Sequence, residues 1–292
     1  MDTSQPDYTP PPPRRQQEIN DAYERNIAAG EAPYANVWLK TRGELDWVMN
    51  VRGWGDTTGN EAVAGANFAH AIFDSALLGD CDLAGANLDG ASLSYTNLDK
   101  ANFTRASLHS VNAYSISLIQ ARLDHASLYE AALDGARLHL ATCVEADLRR
   151  VSLKRADLRE TNLYMTKLIG ADLSLANLSQ TKAAAAYFSE ADLHGVTLAD
   201  ADCNNALFYA ADLTGADMRR IDLILAELNG ADLIRADLSD AQLQMANLSS
   251  ANLLGAKLER ADLSAAKMEK ARLDEVDLST CTLESTKFGD PG

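Results

Sequence analysis

The sequence predicts an all-β solenoid, and three features of residues 66–288 carry that prediction. Leu, Phe or Met, or a small apolar substitute, recurs at every fifth position from Phe68 to Phe288, in 45 consecutive units. A small residue, usually Ala, stands two positions before each of these centres, as in Ala171-Asp172-Leu173. The phase never slips. A fixed internal period of this kind indicates repeats that bury their apolar faces on one another.

A period of five fits neither an α-helix nor a flat strand. Residues five apart lie on different faces of a helix, and side chains of a strand alternate with a period of two. A parallel coil with one inward apolar pair on each side does satisfy the period. Residues 65–290 contain no proline, and an inserted loop would break the phase. The pattern therefore predicts one elongated domain over residues 65–292.

Two shorter segments precede the repeats. Residues 1–15 are polar and contain the run Pro10–Pro13, which predicts a disordered or polyproline tail. A plain tail is the simpler interpretation, and a ligand for a proline-recognition domain is the alternative.

Residues 16–64 are predicted to form a helical cap on the first coil. Gln16–Ala29 has a helical pattern, and Gly30 is a stop signal. Thr41 and Glu44 match a capping box at the start of a second helix. An amphipathic helix with tryptophans nearby suits the end of a solenoid, which otherwise exposes backbone and apolar side chains. The alternative is a free helical hairpin on a linker.

Composition and charge exclude several classes of function. The net charge of −16 argues against direct nucleic-acid binding through a basic footprint, although acidity also simply favours solubility. No window approaches the roughly 18 apolar residues of a membrane span, and the first residues lack the apolar stretch of a signal peptide. The four cysteines all occupy repeat positions typical of small core residues, which fits a reducing, cytoplasmic environment.

The sequence supports no enzymatic chemistry. The five histidines stand at outward positions spread over many units, and no Ser-His-Asp set, glycine-rich phosphate loop or metal-ligand spacing is present. A rod without loops also lacks the concave pocket that a small ligand needs. We therefore expect no catalytic residues, no cofactor and no metal.

The unit Ala-(Asp/Asn)-Leu-x-x, plain in Ala211-Asp212-Leu213 and Ala231-Asp232-Leu233, resembles the pentapeptide-repeat family. The resemblance implies a right-handed quadrilateral parallel β-helix in which four pentapeptides make one square coil, so that the fifth unit lies over the first. Residues 65–292 would then form about eleven coils. The centre Leu and the preceding Ala would point inward, and the other three residues of each unit outward.

Stacking of equivalent units in successive coils brings four carboxylates into one ladder: Asp172, Asp192, Asp212 and Asp232. Carboxylates spaced by the ~4.8 Å between neighbouring chains could imitate the phosphates of DNA. The alternative is that Asp at this position only suits the turn that follows it. The ladder is one of two candidate partner-binding groups.

The second candidate group is apolar and consists of Tyr187, Leu207 and Tyr209. Scattered exposed apolar residues are normal, but residues stacked in successive coils make a contiguous patch, and such a patch indicates a partner. The group is therefore predicted to contact another protein.

The family resemblance also implies a function. The best-understood pentapeptide-repeat proteins are DNA mimics that bind a type II topoisomerase, DNA gyrase, and protect it from quinolones or natural-product poisons. The first hypothesis is that this acidic rod binds gyrase or topoisomerase IV in the same way and confers antibiotic resistance. The second is a structural scaffold or protein-interaction module without topoisomerase activity. Both a monomer and a dimer are compatible with the sequence.

Overall fold

A computed structural model describes residues 11–35, 37, 39–40, 44–45, 48 and 66–289. The one helix with defined bounds is α1, Pro13–Ala29. It begins three residues before the predicted start at Gln16, so Pro13, Arg14 and Arg15 belong to the helix and not to the tail. Proline is compatible with this start because the first turn leaves its N–H groups without a partner in any case.

The predicted stop of α1 is confirmed, whereas the predicted capping box can be followed only in part. Gly30 adopts the left-handed conformation (φ 72°), and its N–H donates to the carbonyl of Ile27 at 3.1 Å. Thr41 lies outside the described residues. The carboxylate of Glu44 accepts hydrogen bonds from the backbone N–H of Lys40 and from Nε of Arg15, each at 2.7 Å. Glu44 thus ties the helix to the chain segment that follows it.

Residues 66–289 wind into a coil whose successive turns are joined by isolated parallel β-bridges between equivalent residues of neighbouring turns. The bridges run from Asn67↔Asn87 to Lys267↔Lys287, and each pentapeptide contributes a single bridging residue except the one centred on Leu278, which forms no bridge. The sides of the coil are thus shorter than ordinary strands. We label the four sides A, B, C and D after their first centres, at residues 68, 73, 78 and 83, and name each corner by the two sides it joins.

Backbone hydrogen bonds hold the coils together in a repeating pattern. The N–H of each centre donates to the bridging residue of the next coil, as in Phe68 to the carbonyl of Asn87 at 2.7 Å. The N–H of each bridging residue donates back to the small inward residue of the previous coil, as in Asn87 to Ala66 at 2.9 Å. These two sets of bonds repeat on every side of the coil.

The corners of the coil are closed by left-handed residues. The last residue of most units has a positive φ near 57°, even where it is bulky, as at Arg155 and Leu175. This conformation is disfavoured for such residues. Its cost is offset by the hydrogen bonds on either side.

The core contains the two inward residues of each unit, as the sequence predicts. Centres and their preceding small residues are buried from Ala66 to Met268. Burial weakens in the last coil, where Leu283 and Phe288 are exposed. Cys81, Cys143 and Cys203 are buried, and burial together with Asp124 raises the pKa of the Cys143 thiol to about 12. These thiols behave as small core residues.

The chain before the repeats contacts the first coil in the way one coil contacts the next. The N–H of Leu39 donates to the carbonyl of Ile72, and the N–H of Ile72 donates to the carbonyl of Val37, both at 2.9 Å. The buried ring of Tyr34 packs on Phe68 with centroids 5.5 Å apart. The first coil is therefore covered by the ring of Tyr34 on side A and by main-chain hydrogen bonds on side B.

Candidate partner-binding surface

The four predicted aspartates form a ladder along side B. Successive bridges join Asp172, Asp192, Asp212 and Asp232. The first three carboxylates also accept hydrogen bonds from the backbone N–H two residues ahead, which belongs to Ser174 (3.2 Å), His194 (3.0 Å) or Thr214 (2.9 Å). Aspartate thus does suit the turn, because it satisfies an N–H that the corner leaves open. This structural role leaves the charge on the surface.

Asp172 differs electrostatically from the other members of the ladder. Lys154 lies 2.9 Å from its carboxylate. Burial opposes ionisation of Asp172, but hydrogen bonds from Ser174 and Lys154 outweigh it and lower the pKa of this carboxyl. Asp192, Asp212 and Asp232 have no ion pair within residues 66–289. The uncompensated part of the ladder is therefore these three residues.

The three apolar candidates lie together on side A and its corner with side B. Tyr187 and Leu207 are bridge partners on side A, and both are partly exposed. Tyr209 follows at the A–B corner, is 51% exposed, and accepts a hydrogen bond at its backbone carbonyl from the N–H of Glu190 at 2.8 Å. The predicted patch is therefore one continuous surface.

The two candidate groups adjoin, which the sequence did not make evident. Side B begins where the A–B corner ends, so Tyr209 stands between Leu207 on side A and Asp212 on side B. We call this surface the acidic–tyrosine face. It consists of Tyr187, Glu190, Asp192, Leu207, Tyr209, Asp212, Glu227 and Asp232, together with the residues between them on sides A and B.

Charge on this face is one-sided. From Tyr187 to Gly255, the outward positions of sides A and B and of the A–B and B–C corners hold five carboxylates and one cation. The carboxylates belong to Glu190, Asp192, Asp212, Glu227 and Asp232, and the cation is Arg235. The two glutamates were not among the predicted site residues. Glu227 follows the apolar Tyr187 and Leu207 in the row on side A, and Glu190 lies at the A–B corner.

Between Tyr187 and Gly255, the acidic residues of side C are paired with cations, in contrast to Asp192, Asp212 and Asp232 on side B. Arg219 pairs with Asp217 at 2.7 Å, and Arg220 and Arg260 pair with Asp200 and Asp240, each at 2.6 Å. The basic cluster near residue 150 is compensated in the same manner: Arg149, Arg150 and Arg159 pair with Asp147, Glu130 and Asp157. Many of the carboxylates elsewhere on the rod are thus paired with arginines. The negative charge that has no cationic partner is therefore concentrated on the acidic–tyrosine face, which the net charge of the whole chain does not reveal.

Aromatic stacking supports this face from beneath. Phe188 and Phe208 follow Tyr187 and Leu207 in the chain, are fully buried, and stack with centroids 4.8 Å apart and planes 6° apart. The preceding centres on side D are small, Ala183 and Cys203, which leaves room for the two rings. Close packing of this kind resists deformation, so the outward residues are held on a rigid base.

Other kinds of site find no support in the described part of the chain. No group of three or more His, Cys, Asp or Glu residues there is arranged to hold a metal ion. No described helix is long and apolar enough to cross a membrane. A depression of about 340 Å³ at the B–C corner lies beside Tyr114, Gly135 and Leu175, outside the acidic–tyrosine face.

Comparison with known proteins places the fold in a family. The model of the pentapeptide repeats matches in stretches that run from residue 64 to residue 279, in eight copies. A crystal structure of HetL, a pentapeptide repeat protein involved in regulating heterocyst differentiation in the cyanobacterium Nostoc sp. strain PCC 7120, is 29% identical. The match covers 83% of this chain and 97% of HetL, with a TM-score of 0.40.

Two further solved structures are similar, and no curated protein matches. A trypsin-treated form of QnrB1, a plasmid-mediated fluoroquinolone resistance protein, is 16% identical over 68% of this chain and 90% of its own, with a TM-score of 0.41. Rfr23 from the cyanobacterium Cyanothece 51142 is 26% identical over 51% of this chain and 91% of its own, with a TM-score of 0.19. The search of curated proteins gave no significant match.

The family model spans well over half of the chain, and it matches the same pentapeptides whose residues form the bridges and the buried core. Proteins of this family adopt right-handed quadrilateral β-helices, are generally non-enzymatic and typically mediate protein interactions. The chain belongs to the pentapeptide repeat family.

Proposed function

We propose that this protein is a non-enzymatic rod that binds another protein through its acidic–tyrosine face. The observation that carries the proposal is the row of Asp192, Asp212 and Asp232, three stacked carboxylates without a cationic partner in the described chain. Uncompensated charges of one sign attract a partner of the opposite sign and raise the rate of encounter. Tyr187 and Tyr209 beside them, with Leu207, supply the apolar contact that such an encounter needs to persist.

The more specific proposal is that the partner is a type II topoisomerase, DNA gyrase or topoisomerase IV, and that the rod acts as a DNA mimic. The ladder places one carboxylate every ~4.8 Å, a regular row of negative charge similar to that of a nucleic-acid strand. The best-understood pentapeptide repeat proteins bind gyrase and protect it from quinolones or natural-product poisons. On this proposal the protein acts in the cytoplasm, binds no nucleic acid directly and contributes to antibiotic resistance.

The test replaces Asp192, Asp212 and Asp232 by Asn together. Asparagine also closes these turns, because Asn177 accepts a hydrogen bond from the N–H of Ser179 at 3.0 Å. The unmodified protein is expected to bind gyrase at low salt, to lose affinity steeply as salt is raised, and to alter supercoiling or quinolone-stabilised cleavage. The triple variant is expected to fold normally and to lose at least about tenfold in affinity, because three charges are removed.

A matched control removes the same number of charges from side D. Asp202, Asp222 and Asp262 accept hydrogen bonds from the N–H two residues ahead, as the side B aspartates do. Their replacement by Asn is expected to leave affinity for gyrase within about twofold, since side D lies across the rod. Equal losses in the two triple variants, or no effect of the unmodified protein on gyrase at low salt, would reject the topoisomerase proposal.

A structural scaffold is the second candidate function. The apolar patch favours it, because Tyr187, Leu207 and Tyr209 can hold a partner that has no affinity for DNA-like charge. If gyrase is unaffected, replacing these three residues by Ser and measuring the loss of proteins co-purified from cells tests this alternative.

We also propose that residues 16–64 cap the rod and that residues 1–15 contribute little to its fold. The pairing of Val37 and Leu39 with Ile72 and the cover of Tyr34 on Phe68 support the capping role. The cap would prevent end-to-end association of the first coil.

A further inference from the structure

We propose that the acidic–tyrosine face receives a basic amphipathic α-helix of the partner, laid along the axis of the rod. This inference rests on the proposed protein-binding function and specifies the shape and chemistry of what binds. It does not depend on the partner being a topoisomerase.

The negative charge of this face favours a basic segment of the partner. The face carries five carboxylates against the single cation of Arg235, whereas the acidic residues of side C in the same coils are paired with arginines or with Lys257. Asp192 and Asp212 are exposed, so a cation can reach them without displacing an existing ion pair. Lysine or arginine side chains of a partner would be the first cations to pair with this part of the ladder.

The spacing of the carboxylates in the ladder favours an α-helix of the partner over an extended strand. Neighbouring coils are ~4.8 Å apart, and an α-helix rises about 5.4 Å per turn. Cations at positions i, i+4 and i+7 of a helix would therefore face Asp192, Asp212 and Asp232 in turn. The accumulated mismatch over two turns is about 1.2 Å, which long lysine and arginine side chains absorb. An extended strand laid the same way would place same-face residues about 6.6 Å apart and lose register sooner.

The apolar part of the face runs parallel to the ladder and matches the second stripe of an amphipathic helix. Tyr187 and Leu207 lie along side A, and Tyr209 lies on the corner between the apolar row and the acidic row. A helix with apolar residues beside its basic stripe would cover both rows at once. The apolar contacts exclude water and strengthen the neighbouring ion pairs.

Two corners beside the ladder are formed by glycines, so no side chain projects from the backbone there. Gly215 and Gly230 have φ angles of 68° and 70°, and a Cβ added at either would meet no atom within 4 Å. The space above them is open, so a helix can approach the backbone closely. Arg235 occupies the same corner position one coil beyond Gly215, with φ 56°, which shows that the corner accommodates a long side chain.

The experiment uses the full chain and a synthetic 18-residue peptide as the probe. The peptide places lysines in one helical stripe and leucines in the adjacent stripe, with glutamine elsewhere. A control peptide has the same composition rearranged to alternate with a period of two, so its charge is identical and its helix is not amphipathic. Affinity is measured by fluorescence anisotropy at low and at physiological salt. The helical peptide is expected to bind at least tenfold more tightly than the control.

Three protein variants locate the binding. Asp192→Asn/Asp212→Asn/Asp232→Asn and the single change Gly215→Arg are each expected to weaken binding of the helical peptide at least tenfold. The first removes the complementary charge, and the second places a cation and a long side chain in the path of the helix. Asp202→Asn/Asp222→Asn/Asp262→Asn on side D is expected to change affinity less than twofold. Circular dichroism and melting of each variant confirm that the coil is intact.

Equal affinity for the two peptides, or equal losses from the side B and side D variants, would overturn the inference, since either result indicates general attraction to an acidic protein. The gyrase experiment can fail separately. Peptide binding on side B without any effect on gyrase supports the helix inference and rejects the topoisomerase. Gyrase binding that needs the ladder, combined with failure of the helical peptide, rejects the helix and retains the proposed function.

Discussion

Replacing Leu173 by aspartate is expected to destabilise the protein by at least about 4 kcal/mol, since it leaves an unpaired charge in a dry core. Leu173 is fully buried, and its backbone N–H donates to the carbonyl of Asp192 in the next coil. The carboxylate would have no cationic partner inside the coil. Either the coil opens locally or the group takes up a proton, and both outcomes cost free energy.

The control for this change lies one residue away. Asp172→Ala removes the bond to Ser174 and the pair with Lys154 at the surface, which is expected to cost about 1 kcal/mol. Chemical denaturation of both variants gives the comparison. Similar losses of unfolding free energy for Leu173→Asp and Asp172→Ala would contradict the assignment of inward and outward positions.

Replacing Phe208 by alanine is expected to cost about 3–5 kcal/mol, because it removes a large side chain from a site that cannot collapse. Phe208 is fully buried and stacks on Phe188 at 4.8 Å, and the neighbouring centre Cys203 is already small. The cavity would lie directly under Leu207 and Tyr209. We therefore expect a loss of partner binding as well as of stability.

Phe208→Leu is the matched variant, because leucine is the commonest centre residue of the coil. It is expected to cost less than about 1.5 kcal/mol and to retain binding. Thermal melting and partner affinity are measured on both variants. If alanine costs no more than leucine, the stacked pair contributes nothing specific to the core, and the rigid base proposed for the binding face is wrong.

The fold is predictable from this sequence because one signal is repeated many times. The buried positions from Ala66 to Met268 follow from the five-residue phase alone. The brevity of each side is less evident. Nearly every pentapeptide contributes one bridging residue and a left-handed corner, so residues such as Arg155 adopt a positive φ that their own propensities disfavour. The hydrogen bonds between neighbouring coils, and not the propensity of the residue itself, determine that conformation.

The segment before the repeats was predicted less well, because it has no repeat to average over. Gly30 ends α1 as expected, but the helix begins at Pro13 and not at Gln16. A proline run suggests a tail, although its last member is acceptable in a first helical turn. The contact of Arg15 with Glu44 joins positions far apart in the chain, and no local pattern indicates it.

The candidate site was predicted as two separate groups, and the structure supplies their relation. Stacking in successive coils identifies Asp192 with Asp212, and Tyr187 with Leu207. The adjacency of the groups depends on the order in which sides A and B meet at a corner. Which aspartates are uncompensated depends on long side chains from other units, as where Lys154 pairs with the ladder's first member, and the repeat does not specify those contacts.

Footprinting of tyrosines by hydroxyl radicals, with gyrase bound and free, tests most directly whether the acidic–tyrosine face is the contact surface. Tyr209 is 51% exposed on that face, whereas Tyr95 (62%) and Tyr164 (45%) are exposed elsewhere on the rod. We expect the oxidation of Tyr209 to fall severalfold in the complex while that of Tyr95 and Tyr164 stays unchanged. Protection of Tyr95 or Tyr164 with Tyr209 left fully reactive would contradict the account.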